Sequence, residues 1–198
     1  TNVNFAINMP CDYCQNNPLI IGSRFIYTDP AVYGSVVAIL SNPYTTTQSD
    51  GTKRPIEFSS VTYTQVGNTW GKTYKRTTKE LFVSAASLRG LALGAGGAGA
   101  IYKISDMSTA GAKSATVFAT IPNAGAVPTN AARMLSQMPQ VSDTWMYTDS
   151  AKVGLGGLTI SQDERTLYVM NLNDRSIYPV DTTSGMVSSP IAVADPGC

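Results

Sequence analysis

Apolar and polar residues alternate over short stretches through most of the chain, and turn-forming residues separate these stretches. The segment ERTLYVMNLNDRSIYPVDTTSG, residues 164–185, contains two of them, one with Leu167 and Val169 and one with Ile177 and Val180. A period of two predicts β-strands, and the Asn- and Asp-rich residues between them predict a turn. Because an isolated hairpin is only marginally stable in water, we expect this hairpin to be part of a larger sheet.

The hairpin has a counterpart earlier in the chain, which indicates a repeated unit. ERTLYVMN…RSIYPVD aligns with TKELFVSA…GAIYKISD, residues 78–85 and 99–106, and a further strand-like stretch precedes and follows each copy. Four consecutive antiparallel strands, repeated, are typical of the blades of a β-propeller. The pattern predicts an all-β fold with blades at residues 71–121 and 156–194 and a partial blade at residues 23–63. A β-sandwich is the competing fold.

The repeated strands also predict which side chains are buried. Stacked blades cover both faces of each sheet, so the apolar positions of these strands are expected in the core. They are Leu81, Val83, Ile101, Val117, Leu158, Ile160, Leu167, Val169 and Ile177. We also expect Trp70, at the start of a first strand, to be a core residue.

Two long segments interrupt the predicted blades, residues 87–100 (SLRGLALGAGGAGA) and residues 123–153. Long loops in compact domains are more often functional or interfacial than short ones. The glycine-rich loop lacks the G-x-x-x-x-G-K pattern of a phosphate site, which favours a surface loop. Residues 129–138 alone have a helical pattern, enough for one or two turns.

The length of the chain predicts an incomplete ring. A propeller needs at least four blades, and at roughly 40–50 residues per blade a chain of 198 residues with two long loops is too short for a usual ring. Uncovered faces and strand edges recruit other chains. We therefore expect residues 1–21 or 186–198 to pair with another polypeptide, either the rest of the same original protein or a second copy in a homo-oligomer or polymer.

The composition excludes several functions. Only 14% of the residues are charged and the net charge is +1, so nucleic-acid binding has no electrostatic basis. The chain contains no histidine, which excludes a Ser-His-Asp or Cys-His nucleophile and histidine-ligated zinc or haem. No apolar run reaches the roughly 18 residues of a membrane span. A surface solvated by uncharged polar residues is common in secreted and surface-displayed β proteins.

The three cysteines are Cys11, Cys14 and Cys198. Cys11 and Cys14 have the C-x-x-C spacing, but Pro10 before them and residues 15–18 (QNNP) after them indicate a loop, whereas a redox motif lies between a strand and a helix. A structural disulfide, within this pair or from one of the pair to Cys198, is the favoured interpretation. Metal binding and redox chemistry are the alternatives.

The two repeat copies resemble blades of propeller-like regions in large bacterial surface and secreted proteins, most of which are uncharacterised. The similarity lies in KVGLGGLTISQDERTLYVMNLNDRSIYPVD and in GNTWGKTYKRTTKELFVSA…GAGGAGAIYKI, and it covers about residues 60–198. Residues 87–90 (SLRG) depart from the group, which is more basic there and carries a histidine, so no function of that loop transfers. The resemblance implies display at the cell surface or outside the cell, beside adhesion modules, rather than catalysis.

Three functions follow from these observations. The first is a non-enzymatic structural, adhesion or assembly module with no catalytic residues and no cofactor. The second is a Ca²⁺-dependent hydrolase or lactonase of propeller type, and its candidate oxygen ligands are Asp163, Glu164, Asn171, Asn173 and Asp174. Turn formation explains the same residues more simply. The third is a carbohydrate-binding module, for which Trp145 and Tyr147 in the long inter-blade segment are the best candidates for a contact surface.

Overall fold

A computed structural model describes residues 19–27, 37–43, 58–137 and 143–194 of the chain. The strands in these ranges are β1 (Leu19–Ser23), β2 (Val37–Pro43), β3 (Ser59–Thr62), β4 (Thr69–Lys75), β5 (Glu80–Ala85), β6 (Ala100–Ser105), β7 (Gly111–Ala112), β8 (Ala115–Thr120), β9 (Leu155–Ile160), β10 (Thr166–Asn171), β11 (Ser176–Asp181) and β12 (Ile191–Ala192). The helices there are α1 (Tyr63–Val66), α2 (Met146–Asp149) and one 3₁₀ helix, Leu135–Gln137.

The strands form three four-stranded sheets. The first sheet has the order β1-β2-β3-β7, the second β4-β5-β6-β8 and the third β12-β11-β10-β9. All pairings are antiparallel except that of β3 with β7. The prediction of an all-β fold with four-stranded, mainly antiparallel sheets is therefore confirmed.

The hairpin predicted from residues 164–185 is confirmed. Strands β10 and β11 pair antiparallel, with Val169 opposite Tyr178. In the turn between them, the backbone N–H of Asn173 donates to Oδ1 of Asn171 at 3.0 Å, and Arg175 has a φ of 56°. The Asn-rich turn chemistry thus sets the register of the hairpin.

The first sheet takes its fourth strand from the second repeat. Strand β7 lies in the connection between β6 and β8, and it pairs in parallel with β3, so that Ser59 lies opposite Gly111. Residues 19–62 supply the other three strands. The strand at this edge of the first sheet, β7, therefore comes from outside residues 23–63, where the partial blade was predicted.

The second sheet lies between the other two and buries both of its faces. Because side chains alternate along a strand, Leu81 and Val83 belong to a core cluster with Ile39 of the first sheet. Phe82 lies on the opposite face, in a second cluster that includes Leu167 of the third sheet. The protein therefore has two apolar layers, one on each side of the second sheet.

The first strands of the three sheets lie next to one another. The hydroxyls of Ser23 on β1 and Thr69 on β4 are 2.9 Å apart. Ser84 accepts from the backbone N–H of Gly71 on β4 at 2.9 Å and donates to the carbonyl of Gly156 on β9 at 3.1 Å. A Cβ at Gly71 would lie 2.6 Å from the nitrogen of Leu158, so this contact requires glycine.

Of the nine side chains predicted to be buried, six are buried, one is exposed and two are half-buried. The confirmed residues are Leu81, Val83, Ile101, Leu158, Leu167 and Val169. Val117 is 48% exposed because β8 is an edge strand whose outer side chains face solvent. Ile160 and Ile177 are only half-buried. The expectation that Trp70 is a core residue is also wrong, since its side chain is 51% exposed.

Candidate functional site

A buried ion pair within residues 123–153 holds the other long segment, residues 87–100, through hydrogen bonds. The Arg133 and Asp143 side chains are both 0% exposed, and Nη2 of Arg133 lies 2.5 Å from Oδ2 of Asp143. Arg133 also donates to the carbonyls of Leu88 and Leu91 at 3.0 and 3.1 Å, and Gly90 N–H donates to Asp143 at 2.9 Å. Burial raises the pKa of Asp143, but the hydrogen bonds from Arg133 and Gly90 outweigh it and hold this pKa below its usual value. The pair therefore stays ionised and fixes residues 88–91.

Trp145 and Tyr147, the predicted contact surface, lie just beyond this ion pair, at the start of α2. The Arg133 guanidinium lies 6.0 Å from the Trp145 ring centroid, and the Arg89 guanidinium lies 4.6 Å from that of Tyr147. Trp145 is half-buried and Tyr147 is 60% exposed. Each ring thus has an arginine over one face, which leaves less aromatic surface for a sugar than the sequence suggested. Their role as a contact surface stays a prediction.

An apolar cavity of about 340 Å³ opens between the second and third sheets, where β4 and β9 begin. Trp70 forms part of its wall, and the Phe25 ring lies nearly parallel to the indole, with 5.9 Å between the ring centroids. Sequence reasoning missed this site because it assigned Trp70 to the core. The adjacent Gly71 was the available signal, since a glycine inside a strand often marks a close backbone approach.

Three of the five candidate Ca²⁺ ligands make side-chain hydrogen bonds within turns, and the Asn173 side chain donates to the carbonyl of Asn123 at 2.9 Å. Asp163 accepts from the Ser161 hydroxyl at 2.6 Å, and Asn171 accepts from the backbone N–H of Asn173. Asp174 accepts from the backbone N–H of Ser176 at 3.1 Å and from the Tyr178 hydroxyl at 2.5 Å. Within the described ranges no three His, Cys, Asp or Glu side chains come close enough to hold a metal ion. The geometry therefore gives the Ca²⁺ hypothesis no support.

Glu164 ties the third sheet to the second. Its carboxylate accepts from the backbone N–H and Nε of Arg76 at 2.9 and 3.1 Å and from the backbone N–H of Thr77 at 3.0 Å. Its side chain is 8% exposed. Burial raises the pKa of Glu164, but the hydrogen bonds from Thr77 and Arg76 outweigh this effect and lower the pKa from 4.5 to about 2. The carboxylate thus holds the β4–β5 turn against the β9–β10 turn.

Replacing Glu164 with Gln is expected to remove part of the acid sensitivity of the fold. A carboxyl whose pKa is lowered by folding stabilises the folded state above its unfolded pKa, and this stabilisation is lost as the pH falls from about 4.5 toward 2. The free energy of unfolding of the wild type should therefore decline more steeply than that of Glu164→Gln over this interval. Urea titrations at several pH values measure both slopes. Equal slopes would contradict the assignment, and Asp149→Asn, a change at a half-buried carboxyl of α2, is the control.

Within the described residues, the third sheet has one covered and one uncovered face. Leu167, Val169 and Val180 face the second sheet and are 0% exposed. On the opposite side, residues in register across the strands share a face. These residues, here called the outward face, are Thr159, Tyr168, Met170, Ile177, Pro179 and Ile191.

The outward face is apolar although no described residue packs over it. Tyr168 is 37% exposed and Ile191 is 51% exposed, and Met170, Ile177 and Pro179 are half-buried. A sheet face in water normally carries polar side chains at alternate positions. With five apolar side chains opposite one another across its strands, the outward face therefore resembles the two faces that the second sheet buries. An exposed apolar surface of this kind is typical of a contact site.

The remaining predicted residues lie outside the described ranges. Cys11, Cys14 and Cys198 are among them, as are residues 1–18 and 195–198. No helix in the described part of the chain is long and apolar enough to cross a membrane. Comparisons with models of protein families, with curated proteins and with solved structures found no match to this chain.

Proposed function

We propose that the protein is a non-enzymatic assembly module of propeller type, in which two copies of the chain close one ring. The outward face of the third sheet carries this proposal. Its apolar side chains lie opposite one another across the strands, as they do on a face that packs against another sheet. Nothing in the described part of the chain covers Tyr168 and Ile191.

The arrangement of the sheets supports the ring. The second sheet packs face to face with both neighbours, and β4 lies beside β1 on one side and β9 on the other. Radially stacked sheets whose first strands surround an axis are the geometry of a propeller. Three sheets per chain are too few for a ring, and two copies supply six, which lies within the usual range of four to eight blades.

A second copy is the occupant that fits both ends of the stack. In a head-to-tail dimer the third sheet of each copy packs on the first sheet of the other, and a contact between two unlike surfaces closes when its rotation completes a ring. On β1, Ile21 packs toward the second sheet, whereas its neighbour Ile20 is 53% exposed. Ile20 is therefore an apolar side chain that the first sheet presents away from the second sheet, as Ile191 is on the outward face.

The proposed role is structural or adhesive, and outside the cell or at its surface. The amino-acid composition supports this role. Only 14% of the residues are charged, which suits a surface solvated by uncharged polar groups, and the chain has no histidine, the commonest catalytic acid or base. The carbohydrate and Ca²⁺ alternatives have no comparable observation in their favour.

Tyr168→Lys is expected to weaken the dimer at least about tenfold. Truncating an aromatic anchor at the centre of an interface commonly costs about 2 kcal/mol or more, and lysine adds a charge to desolvate. Sedimentation velocity over a range of concentrations measures the dissociation constant. Ile191→Lys, at the edge of the same face, should act in the same direction.

Val117→Lys is the matched control, because Val117 is an apolar residue of similar exposure on an edge strand of the second sheet. It should leave the dissociation constant unchanged, and thermal melting should show that all three variants fold. Dimers of equal strength in the wild type and in both outward-face variants would overturn the assignment of this face.

A further inference from the structure

The apolar cavity between the second and third sheets is built from parts of both sheets and of both long segments. Its lining residues are Trp70, Ala86, Ser87, Leu88, Ala151, Leu155, Gly156, Gly157 and Leu172. The ion pair of Arg133 and Asp143 fixes one side of it, because Arg133 holds the carbonyl of Leu88. A cavity of about 340 Å³ is within the usual size range of small-molecule sites.

The chemistry of the wall restricts the ligand to an uncharged, mainly apolar molecule. The described residues that line the cavity carry no charged group, and a charge buried there without a partner would be strongly disfavoured. A sugar is disfavoured for a related reason. Most of its hydroxyls would meet aliphatic side chains and glycine, and each buried hydroxyl without a partner weakens binding.

The Ser87 hydroxyl adds no hydrogen-bonding group to the cavity. The residue is 4% exposed, and its Oγ is buried and has no hydrogen-bond partner. Gly154, which does not line the cavity, packs directly on this oxygen, since a Cβ there would lie 2.5 Å from it. A molecule in the cavity therefore meets mainly apolar surface.

We propose that this cavity binds a small, uncharged, apolar molecule of about two rings. The rings lie against the Trp70 indole and the leucine side chains. The size follows from the volume, because an apolar cavity of about 150 Å³ holds one benzene molecule. The site adjoins the outward face without sharing a residue with it, since a Cβ at the lining residue Gly156 would lie 3.4 Å from the Cβ of Met170.

The probe for this site is naphthalene, with 2-naphthol as the matched compound that adds a hydroxyl. A Trp145→Phe background leaves Trp70 as the one remaining tryptophan of the two in the chain. Titration should then quench Trp70 fluorescence saturably, at one molecule of naphthalene per chain. Because the added hydroxyl finds no partner in the cavity, 2-naphthol should bind at least about fivefold more weakly than naphthalene.

Gly157→Leu should weaken both compounds at least about tenfold by filling the cavity. A Cβ at Gly157 meets no atom within 4 Å, so the added side chain has room without strain. Gly22→Leu is the control, since Gly22 has the same open surroundings on β1 and does not line the cavity. Quenching that does not saturate up to the solubility limit, or binding that Gly157→Leu leaves intact, overturns the proposal. Equal affinity for the two compounds overturns the apolar character assigned to the wall.

Discussion

Replacing Asp143 with Ala is expected to lower the free energy of unfolding by about 3–5 kcal/mol. Removing one partner of a buried ion pair leaves the other charge in the interior without compensation. Here the remaining group is the Arg133 guanidinium, which is 0% exposed and keeps as neutral acceptors the carbonyls of Leu88 and Leu91. The variant also removes the acceptor for the Gly90 N–H, so residues 88–91 keep only their hydrogen bonds from Arg133 among the contacts of this pair. Urea denaturation measures the loss.

Two comparisons show whether the buried charge is the cause. The double variant Arg133→Met, Asp143→Leu removes both charges, and it should recover much of the lost stability, because apolar replacements of buried pairs are often neutral. Glu80→Ala breaks the ion pair with Lys103, whose side chains are 19% and 33% exposed, and it should cost about 1 kcal/mol or less. A loss below about 1 kcal/mol for Asp143→Ala would contradict the burial of this pair.

Replacing Leu167 with Ala is expected to cost about 2–5 kcal/mol. Leu167 is 0% exposed and lies in the cluster that joins the third sheet to the second. The truncation removes apolar contacts and leaves a cavity between two sheets that already contact each other closely at Gly71 and Leu158, so collapse around it is restricted. Thermal and urea denaturation of the same samples give the change in stability.

Val117→Ala provides the contrast, since the sequence pattern predicts both residues as buried. Val117 is 48% exposed on the edge strand β8, so its truncation should cost less than about 1 kcal/mol. A neutral Leu167→Ala variant would mean that the third sheet does not pack on the second through this face. A large effect of Val117→Ala would mean that β8 is covered in solution.

The repeat in the sequence was sufficient to predict the second and third sheets. Short alternating stretches and Asn-rich turns are local signals, and a local signal is enough for a hairpin such as β10 and β11. The same pattern identified Leu81, Val83, Leu167 and Val169 as core residues, because covered sheets need apolar side chains at these positions.

Features that depend on distant parts of the chain could not be predicted in this way. Strand β7 pairs with β3 across about 50 residues, and the Arg133–Asp143 pair forms inside a segment without any repeat. Trp70 is exposed because its neighbour Gly71 contacts the backbone of β9, which only the packed sheets reveal. Exposure of Ile177 likewise depends on which side of the third sheet has a partner.

Native mass spectrometry of the wild-type chain in the presence of a reductant tests the central claim most directly. The reductant removes any disulfide between copies through Cys11, Cys14 or Cys198, so that the mass reports association through the sheets alone. The closed ring predicts a particle of twice the 21.0 kDa of one chain. A stable single chain of 21.0 kDa at micromolar concentration, or a ladder of larger particles without a dominant dimer, would contradict it.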